Sequence, residues 1–229
     1  YEQGCPWVGD EVLESVFSEC KSEGRPGFTA RYWNNVNHEG KVDVETRVMT
    51  PFNFCTSGAT VFAPGVNLTD FSATYNATYV PKASGEIVLD VYSYGKGRLL
   101  VNQKEVMKYH NVHGGNKQSC ALPVEAGKKY DIELQFEYLQ SDAQLNFDLG
   151  FKQKVDVVRS VQAVRNADVV VFVGGISPSL EGEEMGVDLP GFKKGDRTSI
   201  ELPEVQRELL AALHRAGKKV ILVNCSGSP

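Results

Sequence analysis

The 229-residue sequence contains no apolar run near the roughly 18 residues that a membrane-spanning helix needs, so no helical span is expected. Positive charge is not in excess either. With 24 Lys and Arg against 29 Asp and Glu, the formal net charge is -5, which gives no basic footprint for nucleic acid. The lysine pairs at 128–129, 193–194 and 218–219 read as solvated faces rather than a patch. No two of the five cysteines (5, 20, 55, 120 and 225) are close enough for a C-x2-C metal knuckle. Five is odd, so at least one thiol stays unpaired within a monomer. Free, buried thiols are the expectation; spacing neither supports nor excludes a bridge such as Cys55 to Cys120. "VGGIS" at 173–177 is not a G-x-G-x-x-G turn, so no nucleotide cofactor is expected. Neither Met nor a signal peptide opens the chain, and Tyr1 reads as a processed end or an edge within a longer polypeptide.

What is present is ordinary globular composition, 41% hydrophobic and 23% charged, but its character changes along the chain. From about residue 154 it reads α/β. Val155, Val158, Val161 and Val164 recur every three residues, as one helical stripe would. "ADVVVFVGG" follows, a β-branched run of the kind buried on both faces of a parallel sheet. In "LPEVQRELLAALHRAG", Pro203 suits the first helical turn, Val205, Leu209, Leu210 and Leu213 form an apolar face, and Gly217 marks the stop. "KKVILVNC" is a second buried strand. Strand, loop, helix and strand make a βαβ unit. A lone βαβ cannot close a sheet, so the remaining strands are expected outside this sequence.

Residues 27–151 read all-β. Short alternating runs such as "FTARYW", "SATYNATYVP" and "DIELQFEYLQ" are punctuated by Gly, Pro and Asn, as in a sandwich or barrel. Ile132, Leu134, Phe136 and Tyr138 alternate with Glu133, Gln135 and Glu137, giving one apolar and one wet face. "YSYGKGRLLVNQKEVM" predicts two hairpins, with turns near Gly95–Gly97 and Asn102–Lys104. The polar stretch 108–118, "KYHNVHGGNKQ", predicts a long loop, with His110 and His113 solvent-exposed rather than paired on a metal. Tyr32 and Trp33 are expected in the β core. The sequons at Asn67 and Asn76 occur by chance in a bacterial host. Near the start, Val12, Leu13, Val16 and Phe17 predict a short amphipathic helix belonging to the α/β part. The expected architecture is therefore a two-part α+β chain. Residues 1–26 and 152–229 form a partial parallel α/β sandwich domain, and an all-β sandwich or barrel module, 27–151, interrupts it. Insertion requires the module's two ends to lie close together.

Between the first α/β strand and its helix lies "GISPSLEGEEMGVDLPGFKKGDRTSIELP", with Glu181, Glu183 and Glu184 inside four residues. By composition alone this is a solvated loop, a metal site, or a place where one carboxylate is kept for proton transfer. The stretch "ADVVVFVGGISPSLEGEEM…GDRTSIELPEVQRELLAAL…KKVILVNCSGSP" resembles the C-terminal α/β sandwich domain of glycoside hydrolase family 3. "YEQGC" resembles the same domain just before its usual insertion point. "GFTARYW", "VNLTDFSATYNATYVPKASGEIVLDVYS", "GRLLVNQKEV" and "EAGKKYDIELQFEY" resemble, in order, the sugar-associated module named after the anthrax protective antigen.

That resemblance implies a secreted or periplasmic retaining exo-β-glycosidase, a β-glucosidase or β-xylosidase, acting on β-linked glucoside or xyloside oligosaccharides. Retaining enzymes need two carboxyl groups about 5–5.5 Å apart. It implies that the nucleophile is an Asp on a (β/α)8 barrel elsewhere in the same polypeptide. The general acid/base would be Glu183, with Glu181 and then Glu184 as the alternative registers. Crowding of neighbouring carboxylates would itself raise a pKa, as the acid role requires. Asp196 and Arg197 match the family's "DR" and either brace the loop or touch sugar. No cofactor and no metal are implied. Calcium-dependent members of the module family carry adjacent aspartates where this chain reads "SYGKGRL", with Lys96 and Arg98, so a calcium lectin is not expected. The alternatives are a stand-alone carbohydrate-binding module and a structural spacer. The chain by itself, lacking the barrel, is expected to be inactive.

Overall fold

The computed structural model describes residues 9, 11–140, 142–176, 191–193 and 196–226. The chain forms two compact units, one of Leu13–Lys152 and one of Tyr1–Val12 with Gln153–Pro229.

The first unit is built on an 11-stranded antiparallel-rich sheet. Its early strands are β1 (Glu11–Ser15), β2 (Lys21–Ser22), β3 (Arg25–Pro26), β4 (Phe28–Trp33), β5 (Val44–Val48) and β6 (Phe52–Cys55). The later ones are β7 (Ser72–Tyr79), β8 (Gly85–Val101), β9 (Lys104–Val124), β10 (Tyr130–Glu137) and β11 (Gln144–Lys154). Period-two patterning sets their faces. In β10, Tyr130, Ile132, Leu134 and Phe136 are buried while the acidic and amide residues between them turn outward.

The curl of the sheet comes from β8. One edge of this 17-residue strand pairs with β9 along its length. Its other edge is shared: Val88–Tyr94 pair with β11 and Lys96–Val101 with β10. Gly95, at φ +151°, sits at the changeover, and a side chain there would run into the Phe136 ring. The core between the layers is largely aromatic. Phe17 stacks on Phe28 with ring centroids 4.9 Å apart, and Phe52 meets Tyr75 at 4.6 Å and Phe147 at 5.4 Å. Each such ring contributes about 1.5–3 kcal/mol by leaving water.

Several expectations are corrected here. Val12–Phe17 do not make a helix of the α/β part. Residues 11–15 are strand β1, Phe17–Glu19 is a single 3-10 turn, and Phe17 is buried in the β core. The β unit thus begins near residue 13 rather than 27, because the Phe17 ring has its partners there. Gly95–Gly97 is not a turn. The chain reverses only at Asn102 and Gln103, both in the left-handed region at φ 50° and 66°. The polar stretch 108–118 is not a loop but the middle of β9. Its register against β8 slips between Ser93 and Gly95, leaving Val112–Gly115 as a bulge opposite Tyr94. It is polar because β9 has only β8 beside it among the described residues. The described cysteines, Cys20, Cys55, Cys120 and Cys225, are free thiols as expected, but Cys225 is exposed rather than buried. Burial pushes the Cys20 thiol up to about 12.

The module's two ends do meet. Val16 N donates to Leu149 O at 2.9 Å, and Ser15 Oγ donates to Asp148 Oδ1 at 2.6 Å.

The second unit holds α1 (Val157–Ala163), β12 (Val169–Gly175), β13 (Phe192–Lys193), β14 (Asp196–Arg197), α2 (Glu204–Arg215) and β15 (Lys219–Cys225). Asp156 caps α1 by accepting from Arg159 N at 2.9 Å. The α1 helix is shorter than its valine stripe, and Val158 is 72% exposed. Strands β12 and β15 pair in parallel from Val169↔Lys219 to Gly175↔Cys225, with α2 between them in sequence. Among the described residues neither face of this pair is fully covered: Leu222, which pairs with Phe172 on the face opposite Val171 and Val173, is 45% exposed. Val171 and Val173 are 58% and 62% exposed, so the run expected to be buried on both faces is only partly covered here.

Candidate functional site

The acidic stretch leaves the carboxyl end of β12, where loops of parallel α/β sheets carry function. Glu181, Glu183 and Glu184 lie outside the described residues. The side chain of Asp196 does too, although its backbone pairs with Lys193 across β13 and β14. What the described residues define is the rim from which that stretch starts and to which it returns.

At the departing end, Gly174, Gly175 and Ile176 are buried. Ile176 N donates to Cys225 O at 2.9 Å, extending the parallel ladder by one bond. Gly175 adopts φ +122°, and a Cβ there would collide with the Cys225 backbone. Its peptide is held on the other side by Gln206 of α2. Gly175 N donates to Gln206 Oε1 at 2.9 Å, and Gln206 Nε2 donates to Gly175 O at 2.8 Å. Gln206 is 2% exposed, so both bonds lie in a dry environment where losing either partner costs about 1–3 kcal/mol.

At the returning end, Thr198 N donates to Gly191 O at 2.9 Å, closing the β13–β14 hairpin. Arg197 donates through Nη2 to Glu201 O at 3.2 Å. Glu201 in turn accepts from Arg207 at 2.6 Å, a surface pair worth no more than about 1 kcal/mol. The matched "DR" arginine therefore braces the segment that feeds into α2. The helix itself is held by the burial of Val205, Leu209 and Leu213.

Gln206 is the residue that sequence patterning missed. The buried face of α2 is Val205, Gln206, Leu209 and Leu213, with Leu210 half-buried. The available signal was an amide three residues before Leu209 and seven before Leu213, inside the apolar stripe. In the β unit, Tyr32 is fully buried, whereas Trp33 is half-buried and donates from Nε1 to Gly40 O at 3.3 Å. His110 is exposed, and the side chain of His113 lies outside the described residues. Lys96 pairs with Glu137 at 2.5 Å and Arg98 donates to Gln135 at 2.7 Å, so the two cations of "SYGKGRL" are engaged across the β8–β10 pair.

The model of the glycosyl hydrolase family 3 C-terminal domain matches residues 32–229. The chain belongs to glycosyl hydrolase family 3. It is 41% identical, over its whole length, to a xylan 1,4-beta-xylosidase of Xylanibacter ruminicola, of which it covers 27%. It is 26% identical over 182 residues to a beta-glucosidase of Rhizobium radiobacter, matching 72% of this chain and 21% of that protein. The chain thus spans about a quarter of the length of these family 3 relatives. In fold, it superposes on a Kluyveromyces marxianus beta-glucosidase, solved in complex with glucose, with a TM-score of 0.52 at 18% identity, covering 95% of this chain and 27% of that one.

Proposed function

We propose that this chain is the part of a retaining exo-β-glycosidase, a β-xylosidase or β-glucosidase, that supplies the general acid/base, with Glu183 in that role. The observation that carries the reading is the family match, whose bounds, 32–229, take in the acidic stretch and both rim strands. The rim supports it: the stretch is rooted at the carboxyl ends of two paired parallel strands, in a buried and doubly hydrogen-bonded peptide. The nucleophilic Asp lies on a barrel domain of the same polypeptide. That domain's neighbours complete the α/β sandwich over the exposed face of Val171 and Val173. Protonated Glu183 donates to the leaving glycosidic oxygen as the nucleophile attacks the anomeric carbon, forming a glycosyl-enzyme. Ionised Glu183 then takes a proton from the water that releases the sugar. In this reading the β unit is the substrate-shaping module of that enzyme.

In the full-length enzyme, Glu183→Gln is expected to lower kcat by about 100- to 10,000-fold on a poorly activated disaccharide. It should lower it far less on an activated aryl glycoside, whose departure needs no proton, and azide should partly restore turnover. If Glu181→Gln shows this pattern and Glu183→Gln does not, the register is wrong by two residues.

A further inference from the structure

Strand geometry makes the Gln206 contact more than a packing detail. In a β-strand, successive peptide groups point to alternate edges. Ile176 N points to β15, so the peptide groups of Gly175 point to the opposite edge of β12. So do those of Val169, Val171 and Val173. Among the described residues that edge has no strand beside it. At its last position the partner is a side chain: the primary amide of Gln206 both accepts from and donates to one peptide, the two bonds a neighbouring parallel strand would make. Any strand added to this edge must therefore stop at Val173. Beyond it, α2 rather than the sheet holds the backbone.

The choice of residue is costly. Ordering a buried Gln side chain costs up to about 2 kcal/mol of rotamer freedom, and an apolar side chain would suit the stripe of Val205, Leu209 and Leu213 without it. What an amide provides, and an apolar side chain does not, is a fixed direction for the chain as it leaves Gly175. Gly175, with no side chain and φ +122°, accepts that direction without strain.

We propose that Gln206 is a positioning residue for the glycosidase reaction. It ends the free edge of β12 and sets the path of the backbone leading to the acid/base carboxylate. This inference rests on the proposed function, so its test carries Glu183→Gln as a reference. In the full-length enzyme, Gln206→Leu is expected to lower kcat on a poor leaving group by about 100-fold, the scale of an ångström's misplacement, with KM little changed. Amide exchange at Gly175 should accelerate in the same variant. Gln206→Glu supplies a conditional rescue: a protonated carboxyl can accept from Gly175 N and donate to Gly175 O, whereas a carboxylate cannot donate. Its kcat, relative to wild type, should be near normal in acid and fall as pH rises, a dependence Gln206→Leu lacks.

Wild-type kcat in Gln206→Leu despite rapid Gly175 exchange overturns the proposal. So does a loss of activity that tracks a lowered Tm, with KM and kcat changing together. If Gln206→Leu does not fold, the acid-to-alkaline comparison in Gln206→Glu decides by itself. Should Glu183→Gln behave as wild type, the acid/base assignment fails independently. The Gln206 effect is then read against whichever of Glu181→Gln and Glu184→Gln shows leaving-group dependence.

Discussion

Asp148 sits where the chain enters and leaves the β unit, facing Asp90 on the neighbouring strand. Burial is the main cause that raises its pKa above the ordinary carboxyl value, with a smaller push from Asp90. Hydrogen bonds from Ser15 and from Leu149 N work the other way. Asp90 is itself partnered, by Lys117 at 3.0 Å and Ser119 at 2.5 Å. A raised native pKa means the folded state holds this proton more tightly than the unfolded chain does. Ionised Asp148 therefore opposes folding above that pKa, and the penalty lifts as pH falls through it. An asparagine keeps the acceptor for Ser15 and Leu149 N without the charge. Asp148→Asn is expected to match or exceed the wild-type Tm at pH 7. Its advantage should shrink as pH falls toward the carboxyl range near 4. Thermal melts across that interval check the sign; a variant less stable at pH 7 would show that the charge is wanted.

Among the elements, the 3-10 turn at Phe17–Glu19 decides where the β unit begins. Phe17 stacks on Phe28 and meets Phe52 edge-on at 5.6 Å, and Cys20 beside it is fully buried. Phe17→Ala should cost about 3–5 kcal/mol, and a β unit expressed from residue 27 should fail to give a cooperative melt where one from residue 13 succeeds. Chemical denaturation of the two lengths is the direct comparison. Most strands were legible because their two-residue alternation is strict, as in Tyr130–Glu137. What misled was glycine. Gly95 and Gly97 look like a turn, yet they are small because Phe136 and Tyr109 lie against them, and the strand runs straight through. Tyr109 seals that approach by donating its hydroxyl to Gln135 O. Polarity misled as well: an edge strand with a bulge has the composition of a loop. The acidic stretch stood out by composition, but its reading as an acid/base loop came from resemblance rather than patterning. The amide that roots it was hidden because one polar residue in an apolar stripe carries no periodic signal.

At the scale of the whole molecule, two units with opposite requirements share one chain. The β unit has its own closed aromatic core. The α/β unit leaves Val171, Val173, Ile221 and Val223 exposed. On the proposed reading the nucleophile belongs to another domain, so the purified 229-residue chain is expected to show no turnover of an aryl β-xyloside or β-glucoside; measurable hydrolysis would sink that reading. The hydrogen bond from Val16 N to Leu149 O has a further consequence, in the entropy of the surrounding fold. Were the segment between these residues slack, joining the two flanking stretches would mean closing a loop of more than a hundred residues. Once it is folded, the same stretches emerge side by side, as if from a tight reversal of a few residues. Loop-closure entropy grows as about (3/2)RT ln n, so the difference is about 3 kcal/mol in favour of the host. The order of events follows: the guest that folds first lightens the task of the host, and a lesion confined to the guest's core is felt as instability in the host.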